Sequence, residues 1–470
     1  MRFFKKFIGD KAFYKSVIAI VLPIVLQNGL NNFVNLLDNV MVGTLGTEQM
    51  SGVAIVNQLI FVYILCVFGG IAGAGIFTSQ FFGSNNNEGV KHTLRFKFYI
   101  CTALILIAGV IFWLFGDTLI NLFLHDGSDN GNLELAFKYA KEYMVIVLFA
   151  QIPNTLTQIY ASTLRETKQT LLPMIASLIS VVINALLNYI LIFGKLELPA
   201  LGVRGAAIAT VIARVVECII VMVWAHTHTN EKPFFKSIFC TFKIPKNLLV
   251  DLLKKGIILL FNEAIWSLVQ TALLYCYSLN GLESIAAMNI NNTFNNLFSI
   301  VFMSMGNAIA IMVGNLLGAN KPNEARDTDN KIMALGFVSA IIFGSLMAAL
   351  SPFVVHIYDA EQSVKQMATT LMLIAALSMP IHSLVHNIYF TLRSGGKTFI
   401  TFLFDSGFAT LVSLPTAFLL AKFTSVSTPV IYVFVMGIEI IKLIVGLILI
   451  VKGVWINNIV NDKQNLAIQQ

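Results

Sequence analysis

Twelve apolar stretches, each near the ~20 residues a helix needs to cross a ~30 Å hydrocarbon layer, recur along this chain and leave few alternatives for its fold. They lie at 14–43, 53–80, 97–123, 135–163, 170–193, 202–226, 255–279, 288–314, 331–355, 366–391, 398–421 and 428–451. Only helices and closed barrels satisfy every backbone group inside lipid, and stretches of this length are helical. Composition agrees: 57% of the 470 residues are hydrophobic and 12% charged, against roughly a quarter charged in soluble domains. The fold class expected is an all-α integral membrane protein of twelve transmembrane helices. The basic start MRFFKKFIGDKAFYK precedes an apolar run too long for a signal core and without a small-residue cleavage site, so it is expected to stay attached.

Charge sets the expected orientation. The N-terminus, the C-terminal tail and the even-numbered connections together hold 23 Lys and Arg residues against 6 on the opposite side. Both termini are therefore expected on the cytoplasmic side. The net charge of +7 is mostly this topology signal. Dispersed over many short loops, it gives no basic patch for nucleic acid, and no such partner is expected. Five cysteines at no repeating interval (Cys66, Cys101, Cys218, Cys240, Cys276) suggest neither a disulfide framework nor a metal site.

The chain repeats itself. GTEQMSGVAIVNQ from Gly46 lies over GLESIAAMNINNT from Gly281, and SQFFGSNNNEGVK from Ser79 over GNLLGANKPNEAR from Gly314, both at an offset of 235. TLRETKQT from Thr163 matches TLRSGGKT from Thr391 at an offset of 228. Six spans per half make this a parallel repeat about an axis along the membrane normal. The expected organisation is an N-terminal lobe at 1–226, a polar cytoplasmic linker at 227–253 and a C-terminal lobe at 254–470. Two such lobes suit a transporter whose cleft opens to either side in turn. The loop between the second and third spans, GSNNNEGVKHTLRFK, lacks the Asp-Arg signature of the major facilitator group.

Within the apolar runs a few polar residues stand out. An acid at membrane depth costs about 2.5–3.5 kcal/mol on insertion scales, so it faces the bundle interior and finds partners. Asp38 shares one face of the first helix with Asn28, Asn31 and Asn35, at spacings of 3, 4 and 3. Amide glue between helices explains asparagines but needs no charge, which favours a functional reading for Asp38. Glu263, in FNEAIW, lies over Asn28 at the repeat offset. Asp405 either binds a cation or substrate or pairs with Arg393 or Lys397. Asn184 and Asn188 lie one turn apart on the fifth helix, and His382 and His386 one turn apart on the tenth, a metal-compatible spacing with no evident third ligand. Five asparagines, Asn292 among them, line the eighth helix. Intrahelical pairing is expected for Arg214 with Glu217 and for Glu439 with Lys442. Pro23 and Pro173 sit within or near helix starts, open to kinking or to ordinary helix initiation.

The segments LPIVLQNGLNNFVNLLDNVMVGTLG, ATVIARVVE and FNEAIWSLVQTALLYCYSLNGLESIAAMNI, with the paired TLR loops, resemble the multidrug and toxic compound extrusion (MATE) family over nearly the whole chain. The resemblance implies two six-helix lobes around a cleft and export of cationic or amphiphilic small molecules coupled to Na⁺ or H⁺ entry. It marks Asp38 and Glu263 as ion or proton sites, with Asp405 a third candidate. Asn28, Asn31, Asn35, Asn184, Asn188, Asn292, His382 and His386 are the expected lining. The chain departs from the family at Asn188, where one branch carries an Asp, and at His382, where other members carry an acid. The alternative is a lipid-linked-precursor flippase of the same superfamily, which needs more cleft cations than are found. The sequence contains no H-E-x-x-H, G-x-S-x-G or phosphate-binding loop, so an enzyme or an ATP-driven pump is not expected. The further expectations are a monomer in a prokaryotic cell membrane, with lipid and an organic cation as partners and no cofactor beyond the coupling ion.

Overall fold

The computed structural model describes residues 6–124, 132–241, 243–358 and 360–461, and all of their side chains except those of residues 35, 36, 40 and 282. Among the described residues twelve helices are long and apolar enough to cross a membrane. They are α1 (Lys11–Gly43), α2 (Thr47–Gly83), α3 (Asn87–Asn121), α4 (Leu133–Glu166), α5 (Leu171–Phe193) and α6 (Val203–Thr227). The others are α7 (Lys246–Ser278), α8 (Leu282–Gly318), α9 (Pro322–Val354), α10 (Gln362–Ser394), α11 (Thr398–Phe423) and α12 (Thr428–Val451). The protein is an all-α membrane protein, as its sequence implies.

Several helices outrun their apolar windows. α3 begins ten residues before the expected span, at Asn87, α7 nine before, at Lys246, and α9 nine before, at Pro322. Apolarity marks only the part that must sit in hydrocarbon, whereas backbone pairing continues into polar sequence. The last eight residues of the expected linker, from Lys246, are accordingly helical, and the rest contains a short 3₁₀ turn at Pro233–Phe235. Pro173 is the third residue of α5, where its missing N–H costs nothing. Pro23, in contrast, lies in the interior of α1.

Contacts divide the chain into two compact units. The first comprises Met1–Val25, Ile76–Asn86 and Ile257–Gln470; the second comprises Leu26–Gly75 and Asn87–Gly256. In the first, Val17, Ile20 and Ile24 of α1 pack with Met305, Ile309, Ile332 and Ile388. The end of α2 meets the end of α8 there through two glycines: a Cβ on Gly83 would collide with the Asn315 carbonyl, and one on Gly318 with the Gln80 carbonyl. Small residues let helix backbones approach where lipid offers no hydrophobic drive to association. The segment after α12 folds back onto this place, with Trp455 buried and Ile459 N–H donating to Gln80 Oε1 at 2.8 Å. The second unit has its own core, from Val42, Val56, Ile60, Tyr143, Val147 and Ile192. The outer surface is apolar: Trp113 of α3 and Leu377 of α10 are 83% and 79% exposed, as lipid-facing side chains are.

Candidate functional site

The first unit holds a hydrogen-bonded chain of polar side chains across four membrane-crossing helices. It begins at Glu263 on α7, whose Oε1 accepts from the Tyr389 hydroxyl of α10 at 3.0 Å. Asn262, fully buried beside it, donates from Nδ2 to Tyr389 Oη at 3.4 Å and to Asp405 Oδ2 at 3.1 Å. Asp405 Oδ1 in turn accepts from Lys442 Nζ of α12 at 3.1 Å, and Lys442 lies 3.6 Å from Glu439. Three acids and one lysine are thus tied together through an amide and a phenol.

Local structure explains how each group is held. Asn262 is fixed by Ser406 of α11, whose hydroxyl lies 2.8 Å from Asn262 Oδ1 and 2.7 Å from its carbonyl oxygen. Asp405 and Ser406 sit in a π-helical stretch, Leu403–Gly407, followed by a second at Ala409–Ser413. Such wide turns rotate side chains away from where an α-helix would aim them, and they concentrate at functional sites. Asp405 pairs with Lys442, a partner that neither alternative weighed from the sequence had named. The expected Glu439–Lys442 contact exists, but the same ammonium also serves Asp405, so it is one edge of a larger cluster. The Arg393 guanidinium lies over the Phe390 ring, 5.2 Å from its centre.

The two histidines of α10 are half-buried. His386 Nε2 is 3.2 Å from the Met303 carbonyl of α8. His382 lies within electrostatic reach of Glu439 and Lys442. Among the described residues no group of three His, Cys, Asp or Glu side chains is placed to hold a metal ion.

The second unit holds a smaller polar chain. Asn188 of α5, fully buried, donates from Nδ2 to Asp38 Oδ1 of α1 at 2.5 Å and lies 3.2 Å from Asn184 Oδ1. Asn184 Nδ2 reaches Thr210 of α6 at 3.5 Å. Asn31 Oδ1 accepts from Ser177 at 3.3 Å, which joins α1 to α5 a second time. Arg214 is within electrostatic reach of Asp38 and bonds Glu217 on its own helix at 2.8 Å. Asn28 is half-buried on α1, while the side chain of Asn35 lies outside those described. On α8 it is Asn291, not Asn292, that is buried, with its Nδ2 3.3 Å from Tyr432 Oη; Asn292 is exposed.

Sequence reasoning missed Tyr389, Ser406 and the reach of Lys442. A signal existed for the lysine: Arg214 and Lys442 are the two basic residues that fall near the middle of a span rather than towards its ends or in the loops. A cation there requires an acidic partner. Chemically, the first-unit chain offers carboxylate oxygens beside a phenol and a fixed amide, a set that suits a proton or a hard monovalent cation.

A family model described as MatE matches residues 23–190 and 258–419, one stretch in each half of the repeat and well over half the chain. Among curated sequences, the chain is 26% identical over 417 residues to the "Probable multidrug resistance protein YoeA" of Bacillus subtilis (strain 168), covering 87% of this chain and 88% of that one. It is also 26% identical over 414 residues to the "Probable multidrug resistance protein NorM" of Oceanobacillus iheyensis, covering 87% and 90%. A solved structure described as MATE in the bent conformation superposes with a TM-score of 0.83 at 16% identity, covering 94% of this chain and 95% of that one. The outward-facing conformation of a multidrug resistance MATE family transporter gives 0.82 at 16% identity, covering 95% and 96%. Likeness at that identity speaks for the fold alone.

Proposed function

Because the chain belongs to the MatE family, we propose that it is a secondary transporter that exports cationic or amphiphilic small molecules across the cell membrane in exchange for Na⁺ or H⁺. The observation that carries this reading is the chain from Glu263 through Tyr389, Asn262 and Asp405 to Lys442. Acids retained at membrane depth are costly, and their ordinary use is ion or proton passage. The relatives described as multidrug resistance proteins support small-molecule export over the flippase alternative.

In this reading Glu263, Asp405 and Asp38 are the coupling acids. Asn28, Asn31, Asn35, Asn184, Asn188, Asn292, His382 and His386 line the path, and both termini are cytoplasmic. Binding of the coupling ion must differ between the two access states, because a ligand shifts an equilibrium only by its differential affinity. The test is efflux of a cationic dye from proteoliposomes, with Na⁺ and pH gradients imposed separately. Dye movement driven by either inward gradient, and lost in Glu263→Gln, is the expected result. Dye movement that ignores both gradients sinks the proposal.

A further inference from the structure

Of the three acids tied together in the first unit, Glu439 is the least well held. It stands near the middle of α12 with its side chain 14% exposed. An acid at that depth requires a partner. Among the described residues its one ion-pair partner is Lys442, and no other side chain donates to it. The 3.6 Å between them is longer than the about 2.7–2.9 Å of a charge-assisted hydrogen bond. Asp405, in contrast, has both oxygens in use: Oδ1 accepts from Lys442 at 3.1 Å and Oδ2 from Asn262 at 3.1 Å. The ammonium that satisfies Asp405 thus leaves Glu439 with an incomplete contact.

The lysine side chain is the part that can move. The helix that carries it is packed hard against its neighbours: a Cβ on Gly446, one turn beyond Lys442, would lie 2.8 Å from Phe404 Cε2 and 2.9 Å from Ile388 Cγ2. The ammonium itself lies 5.4 Å from the centre of the Phe404 ring, at the end of a flexible four-carbon stem. Closing its gap to Glu439 takes a shift of less than about 1 Å to reach ordinary charge-assisted length. A side-chain rotation supplies that without any movement of α12. The charged and titratable groups facing the ammonium are Asp405 of α11, Glu439 of its own helix, and His382 and His386 of α10. Glu263 and Arg393 lie one step further, within reach of each other and, for Glu263, of Asp405.

We propose that the Lys442 ammonium alternates between two carboxylates: it neutralises Asp405 while the coupling site is empty and passes to Glu439 when the coupling ion reaches Asp405. Glu439 is then a positioning residue that acts through Lys442. The inference rests on the transport reading, with Asp405 as a coupling acid. Two cations on one carboxylate disfavour each other, so an ion arriving at Asp405 loosens the ammonium. Released with no acid nearby, the ammonium would stay buried and uncompensated. Glu439 gives it a partner that is already within 3.6 Å. A purely structural pair of Asp405 and Lys442 has no use for a second acid, whose burial is costly.

The experiment measures the concentration of Na⁺ or H⁺ that gives half-maximal efflux of a cationic dye from proteoliposomes. Removing the receiving carboxylate, in Glu439→Gln, should raise that concentration about tenfold, and removing the ammonium, in Lys442→Met, should lower it by about as much. Once Lys442 is Met, adding Glu439→Gln should change nothing further, because a residue that acts through the ammonium has nothing left to act on. Glu439→Asp keeps the charge but withdraws it by one methylene, so it should resemble Glu439→Gln. That variant decides where Lys442→Met does not yield monodisperse protein. A wild type whose efflux ignores both gradients sinks the transport reading and this inference with it. Given gradient-driven efflux by the wild type, four results overturn the role of Glu439 and leave the transport reading standing. They are an ion dependence unaltered by Glu439→Gln, one raised equally with and without Lys442, a rise in Lys442→Met, and wild-type behaviour in Glu439→Asp.

Discussion

Lys442 Nζ stands 3.1 Å from Asp405 Oδ1, with side-chain exposures of 7% and 18%, so a cation of the twelfth helix neutralises an acid of the eleventh. The same ammonium is 3.6 Å from Glu439. One positive charge thus serves two carboxylates, and one negative charge is left for an ion or a proton to balance.

Removing this lysine should therefore destabilise the protein more than removing the pair. Breaking a buried pair from one side costs about 3–5 kcal/mol, because the partner stays buried without compensation. Lys442→Met is expected to lower the melting temperature in detergent clearly, and Lys442→Met with Asp405→Asn to recover part of the loss. Additive losses in the double variant would mean the two side chains do not support each other.

Tyr389→Phe tests the phenol without touching a carboxylate. It removes the hydroxyl that donates to Glu263 at 3.0 Å and leaves the ring. A hydrogen bond to a charged group is worth about 1.5–3 kcal/mol, so the concentration of coupling ion needed for half-maximal efflux should shift about tenfold or more, downward where a proton drives efflux because the carboxylate has lost a donor that favours its charged form, with expression retained. An unchanged ion dependence would confine Tyr389 to packing.

Asp38 should give substrate binding a pH dependence. As pH falls the carboxylate gains a proton, its charge is lost, and its attraction for a cationic substrate goes with it. Binding by the wild type is expected to weaken from about pH 9 towards about pH 5, and Asp38→Asn to lose most of that slope. Identical curves for the two proteins would pass the role to Glu263 or Asp405.

Topology can be read with a native thiol. Cys240 is free and exposed in the segment between α6 and α7, and Thr424 is exposed between α11 and α12. With the termini cytoplasmic, an impermeant maleimide should label Thr424→Cys, in a Cys240→Ser background, on intact cells. Cys240 of the wild type should label only after permeabilisation. The reverse pattern would invert the assigned orientation.

The sequence by itself determined the twelve helices, the internal repeat and the acids that merit attention. Each of these follows from a cost that is local to the chain. An apolar run of the right length must span, and Asp38, Glu263 and Asp405 are conspicuous because charge inside such a run is expensive whatever surrounds it. Tertiary structure alone decided the partners. The sequence spacing of Glu439 and Lys442 reveals a neighbour on the same helix, but no spacing reveals that α12 turns the same ammonium towards Asp405. Nor does any periodicity announce the π-helical stretches that aim Asp405 and Ser406. On α8 the choice between Asn291 and Asn292 as the buried amide is one residue, a rotation of about 100° around the helix axis. That rotation is fixed by how α8 packs against its neighbours, a property that no single helix carries in its own sequence.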